Sequence, residues 1–128
     1  MIGRLRLNTK KMEINMSDSP IEPTRAGIDA LTEPLVIEFG APWCGHCQAA
    51  QPLITAALAR YPQIRHLKIE DGPGRLLGRS FRVKLWPTLV FMRQGKEVER
   101  LVRPGEPGTI EQALALISVA ASFDSTQA

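Results

Sequence analysis

The sequence predicts an α/β domain with a central mixed β-sheet flanked by helices on both faces, and three observations carry that expectation. Helical and extended patterns follow one another in the order helix, strand, helix, strand, helix, strand, strand, helix, an order that builds a mixed sheet between helices. Leu35-Val36-Ile37-Glu38-Phe39 is apolar at every position except Glu38, as a strand covered on both faces must be. The break Gly40-Ala41-Pro42 then feeds a helix that opens on Cys44-Gly45-His46-Cys47, placing two thiols at a strand-to-helix junction.

Residues 1–24 read as a leader without fixed structure, being polar, basic and broken by Pro20 and Pro23. The alternations Leu5, Leu7 and Met12, Ile14 admit a short added strand there instead, and Met12 and Met16 are possible later starts. A domain is expected over 25–123. Its first helix runs from about Thr24 to Leu31 and is ended by Pro34. After the strand at 35–39, a helix over 44–61 places Ala50, Leu53, Ile54, Ala57 and Leu58 on one face and stops at Pro62. Residues 64–69 form a strand closed by the turn Glu70-Asp71-Gly72-Pro73-Gly74, and a short helix follows at 75–81. Thr88–Arg93 is an apolar strand, Gln94-Gly95-Lys96 a hairpin turn, and 98–102 the returning strand, suited to a sheet edge. The last helix is expected to start with Thr109 as N-cap and Gln112 completing a capping box, burying Ile110, Ala113, Leu114 and Ile117. Residues 124–128 are expected to fray.

At 128 residues the chain has the size of one domain. A composition of 44% hydrophobic and 23% charged residues excludes collagen-like, wholly disordered and membrane-embedded classes. The net charge of +3 comes from residues 1–16, where Arg4, Arg6, Lys10 and Lys11 face Glu13 alone, so it does not argue for a nucleic-acid partner. The rest is neutral overall but uneven: 17–59 is acidic and 60–103 basic, either a solvated surface or a face that steers acidic partners. No run of about 18 apolar residues could span a bilayer, and the N-terminus lacks the apolar core of a secretory signal. A cytoplasmic protein with no membrane contact is the expectation. In that reducing setting a close cysteine pair is catalytic or metal-binding rather than structural.

The spacing of Cys44 and Cys47 gives the two sulfurs different chemistry. Cys44 sits where a helix begins, and the unpartnered N–H groups and positive dipole end there favour a thiolate, which makes it the nucleophile. Cys47 lies one turn along, close enough to attack a mixed disulfide formed at Cys44 and so resolve it. Gly45 and His46 fill the gap, and a charge on His46 would favour the reduced pair and raise its potential.

The stretch Trp43-Cys44-Gly45-His46-Cys47 resembles the active-site motif of the thioredoxin superfamily, with His where thioredoxins usually carry Pro and protein disulfide isomerase domains carry His. The likeness covers about residues 25–122 and implies a thioredoxin fold. It makes Glu38, six residues before Cys44, the buried acid that helps deprotonate the resolving cysteine, and Pro52 the proline of the active-site helix. Trp86-Pro87-Thr88 corresponds to the cis-proline segment along which a substrate chain is laid, with Trp86, Trp43 and Pro42 as apolar lips. Burial in an apolar strand should raise the Glu38 pKa and suit it to proton exchange with Cys47. The sequence departs from the family at Gly40, where an aromatic residue is common, at His66, near the place of a lysine that approaches the buried acid, and in the loop 104–108.

The implied activity is thiol–disulfide exchange that reduces protein disulfides, with an external electron donor such as a thioredoxin reductase or a glutathione system. An oxidase or isomerase of the same fold is the near alternative, and a metal site on Cys44, Cys47, His46 and His66 or a non-catalytic adaptor the distant ones. The redox group is the Cys44–Cys47 pair itself, and no organic cofactor or bound metal is expected.

Overall fold

A computed structural model describes residues 22–127, with side chains described as far as residue 118. The expectations for residues 1–21 lie outside the described residues. The elements are α1 (Arg25–Asp29), β1 (Leu35–Gly40), α2 (Gly45–Ala59), β2 (Arg65–Glu70), α3 (Leu76–Ser80), β3 (Thr88–Arg93), β4 (Lys96–Val102) and α4 (Pro107–Gln127). The order is the one the pattern implied.

The four strands lie in the order β2-β1-β3-β4. β1 pairs in parallel with β2 across the α2 crossover and antiparallel with β3, and β3 pairs antiparallel with β4. All six β1 residues are buried, because the strand is central and helices cover both of its faces. Side chains alternate, so β1 sends Val36 to one face and Leu35, Ile37 and Phe39 to the other. Val36 joins Leu89 and Phe91 of β3 under α2 and α4, where Ala50, Ile54, Ala57, Ile110, Ala113, Leu114 and Ile117 close the core. The opposite face packs on Ile28 of α1, Leu77 of α3 and Phe81. Arg25 ties these small helices together: its Nη1 donates to Ser80 O at 2.7 Å and its guanidinium lies 3.8 Å above the Phe81 ring.

Most boundaries shift by one or two residues from the sequence expectation, and the starts of β4 and α4 do so for plain local reasons. The β3–β4 turn has two residues, Gln94 (φ 55°) and Gly95 (φ 74°), the left-handed pair that matches the twist of a tight hairpin. Arg93 therefore pairs with Lys96, and β4 starts two residues earlier than expected. α4 starts at Pro107, a residue suited to the first helical position because its missing N–H would have no partner there. Thr109 is thus inside the first turn, its Oγ1 donating to Glu106 O at 3.0 Å, and does not cap the helix with Gln112. The helix also runs on to Gln127, through most of the segment expected to fray.

Leu114 is fully buried between α4 and the sheet. Leu114→Ala should lower unfolding stability by about 3 kcal/mol through lost burial and a residual cavity. Urea denaturation measures this, and a loss below about 1 kcal/mol would mean α4 is not docked as described.

Candidate active site

The period of β1 sets the site. Glu38 and Gly40 share the face of Val36 and look toward α2, while β2 turns Leu67 and Ile69 to the opposite core and so presents His66 and Lys68 on the α2 side. Beyond Gly40 the chain passes through Ala41, Pro42 and Trp43 and enters α2 with Cys44 as N-cap (φ −83°, ψ 119°). The Cys44 Sγ accepts the Cys47 N–H at 3.1 Å, a sulfur doing what a Ser or Asp oxygen commonly does at a helix start. Cys44 N donates to Ala41 O at 3.1 Å and Gln48 N to Cys44 O at 3.0 Å, which fixes the turn carrying Cys44. Both cysteines are free thiols and both are largely buried.

At Gly40, where the sequence departs from the family pattern, the end of β1 passes close beneath Cys47: a Cβ there would stand 2.6 Å from the Cys47 Sγ, so a larger residue would require that thiol to shift. Trp86 packs with Ala41, Cys44 and Cys47 in one apolar cluster and meets Trp43 edge to face, ring centroids 5.3 Å apart. Trp43 itself is 71% exposed. Asp71 fixes Trp86 by accepting its Nε1–H at 2.9 Å. The Asp71 carboxylate lies so close over α3 that a Cβ on Gly78 would run into it.

The Trp86–Pro87 peptide bond is cis. Trp86 O accepts from Arg103 Nε at 2.8 Å, and Pro87 O from Arg103 N at 2.9 Å. Thr88, placed by resemblance in the substrate segment, is 1% exposed and its hydroxyl donates to Leu85 O at 2.6 Å, so its side chain braces the loop rather than facing outward. Pro42, Gly45 and His46 are exposed around the thiols, and Pro42 O accepts from Gln48 Nε2 at 2.9 Å.

Glu38 is 3% exposed, yet its carboxyl is held below the usual range rather than above it. Burial pushes the pKa up, as the apolar strand suggested, but three partners together outweigh it. His66 Nε2 lies 2.8 Å from Glu38 Oε1, Lys68 adds positive charge, and Gln51 Nε2 donates to Oε2 in a short hydrogen bond. Lys68 Nζ in turn donates to Gln51 Oε1 at 3.3 Å. The Cys47 thiol moves the other way. Burial, then its hydrogen bond with the Cys44 side chain, then the nearby Cys44 and Glu38 charges push it up to about 11, against a backbone contact at Ala41. A cavity of about 280 Å³, whose lining includes Glu38, Gly40, Cys47, Gln51 and Lys68, touches both acid and thiol and is large enough for water.

The structure thus brings Cys44, Cys47, Glu38, Trp86, Trp43 and Pro87 into one region. Sequence reasoning missed Gln51, Asp71, Gly78 and Arg103. Gln51 stands four residues after Cys47 on the same helical face, a spacing that could have signalled it. Asp71 was legible only as a turn residue. Among the described residues no group of three or more His, Cys, Asp or Glu side chains converges to hold a metal ion, and no helix is long and apolar enough to cross a membrane.

Comparison with known proteins agrees with this architecture. The family model for thioredoxin matches residues 25–115. Among solved structures, reduced thioredoxin 2 from Pseudomonas aeruginosa is 56% identical, with a TM-score of 0.70 over 77% of this chain and 92% of that one. Thioredoxin NaTrxh from Nicotiana alata is 28% identical, with a TM-score of 0.62 over 77% of this chain and 97% of that one. Thioredoxin H2-1 of Oryza sativa is 35% identical over 71 residues, 56% of this chain and 51% of the rice protein. The chain spans about half the length of the first curated relatives it matches. With the sheet order, the Cys44–Cys47 helix start and the matched residues in agreement, the chain belongs to the thioredoxin family.

Proposed function

We propose that the chain is a thiol–disulfide oxidoreductase that reduces protein disulfides. The observation that carries this is the Cys44 sulfur serving as the N-cap acceptor of α2, with the Cys47 N–H donated to it and the Cys47 thiol one turn away. A thiolate at Cys44 attacks one sulfur of a substrate disulfide, forming a mixed disulfide and expelling the other substrate sulfur as a thiolate, which takes up a proton. Cys47 then loses its proton and attacks the Cys44 sulfur, closing the Cys44–Cys47 disulfide and releasing the second substrate thiolate. Two electrons have passed to the substrate, and an external electron donor such as a thioredoxin reductase or a glutathione system restores the pair.

The resolving step needs help at neutral pH, because burial, the largest effect on the Cys47 thiol, raises it above the ordinary thiol range and keeps it protonated there. Glu38, ionised well below that range, is the proton acceptor, working through the cavity it shares with Cys47. His66, Lys68 and Gln51 position that carboxylate. Trp86 and Trp43 form the apolar lip over the thiols, Pro87 lies beneath the incoming chain, and exposed Gly45 and His46 tune the pair. A cytoplasmic setting, where the two free thiols stay reduced between cycles, suits this direction.

With a disulfide peptide, Cys47→Ser should accumulate a mixed disulfide at Cys44 visible by intact mass, and Cys44→Ser should form none. Equal adduct formation by both variants would overturn the assignment of nucleophile. Glu38→Gln should slow release of that intermediate about tenfold or more at pH 7 while leaving the first attack nearly intact. The Glu38 charge is the weakest of the effects that raise Cys47, so the variant's thiol still titrates far above neutrality. Its release rate should therefore climb with each pH unit as the Cys47 thiolate fraction grows. Stopped-flow tryptophan fluorescence across pH 6 to about 10 reads both steps, and a flat profile in Glu38→Gln would remove Glu38 from the proton path.

A further inference from the structure

Trp86 has thiols on one side and an open groove on the other. The groove runs between the 72–75 turn and the 82–86 loop, with Arg75, Arg79, Arg82 and Lys84 along its walls. Arg75 has a carboxylate partner, Glu70 at 3.8 Å, and the Asp71 carboxylate at the groove's edge is engaged by Trp86 Nε1 at 2.9 Å. Arg79, Arg82 and Lys84 are exposed, and among the described residues no carboxylate pairs with any of them. Arg82 is held in a left-handed backbone (φ 58°) at the turn out of α3, with Val83 N donating to Gly78 O at 2.9 Å, so its place in the loop is set by the fold. Arg103, also left-handed (φ 52°), adds positive charge where its Nε meets Trp86 O. Unpaired like charges gathered on one groove repel one another. They raise the local concentration of anions.

We propose that this groove docks acidic residues of a disulfide-bearing polypeptide, so that preferred substrates carry carboxylates within a few residues of the disulfide presented to Cys44. The inference rests on the oxidoreductase assignment and adds a substrate class to it. The groove shares Trp86 with the cluster of Ala41, Cys44 and Cys47, so an occupant of the groove lies beside the thiols. A polypeptide can present a carboxylate and a disulfide together at that spacing; a nucleic acid offers the anion without the disulfide. The carboxylates of glutathione disulfide share this chemistry, and the experiment separates them.

The test uses the full chain with dithiothreitol as electron donor and two cyclic disulfide peptides that differ only in flanking Glu or Gln residues. At about 0.01 M salt the acidic peptide should show a roughly tenfold higher kcat/KM, and the advantage should vanish at about 1 M salt, where the Debye length has shrunk from about 30 Å to about 3 Å. Arg82→Glu combined with Lys84→Glu should invert the preference, and Arg82→Gln with Lys84→Gln should abolish it. The salt series on the unaltered chain stands even if neither variant folds. Turnover of both peptides without an acidic preference at low salt, or a preference that survives charge reversal, would overturn the docking site and leave the oxidoreductase standing. A charge-dependent rate with glutathione disulfide but not with the acidic peptide would overturn the polypeptide assignment. No turnover of any disulfide would overturn both.

Discussion

A single hydrogen bond, from the Cys47 N–H to the Cys44 sulfur, fixes the relation of the two thiols on which the site depends. A helix start leaves several backbone N–H groups without partners, and here one of them is satisfied by the Cys44 sulfur. This can happen only if Cys44 is the N-cap, so the chain must leave β1 and turn within Ala41, Pro42 and Trp43. Cys47 lies close over the end of β1, where a Cβ at position 40 would crowd its sulfur. Glycine at the strand end, the buried central strand and the two large cores on either side of it hold that one turn in place.

The two thiols differ although both are buried to nearly the same extent, 5% and 6% exposed, so exposure does not distinguish them. Their surroundings do. Cys44 receives an N–H donor at the positive end of α2, whereas Cys47 faces the low-dielectric interior and the negative charge of Glu38. Glu38 in turn would be driven toward its neutral form by burial if it stood alone. His66, Lys68 and Gln51 keep it charged, and that places a buried negative charge near a thiol that holds its proton tightly.

The fold was largely legible because it follows from local pattern: the apolar run of β1, the helical recurrence through Ala50, Ile54 and Ala57, and the Gly95 turn each depend on neighbours in sequence. The cysteine pair was legible for the same reason. The parts that were not legible depend on contacts between elements. The direction of the Glu38 shift turns on His66, which is 28 residues away, and a strand read alone shows only the desolvation. The service of Asp71 to Trp86 spans 15 residues and two loops, so in sequence it showed only a turn-forming side chain. The start of α4 was misplaced because Thr109 and Gln112 fit a capping box while Pro107 fits the first helical position equally well, and the loop geometry before it decided in favour of proline.

The most direct test of the account is the pH dependence of thiol alkylation in the reduced chain, followed residue by residue with iodoacetamide and peptide mass mapping. Cys44 should be alkylated first throughout the neutral range, with Cys47 becoming reactive only as the pH approaches about 11. Equal rates at neutral pH, or faster modification of Cys47, would contradict the division of roles on which the mechanism stands.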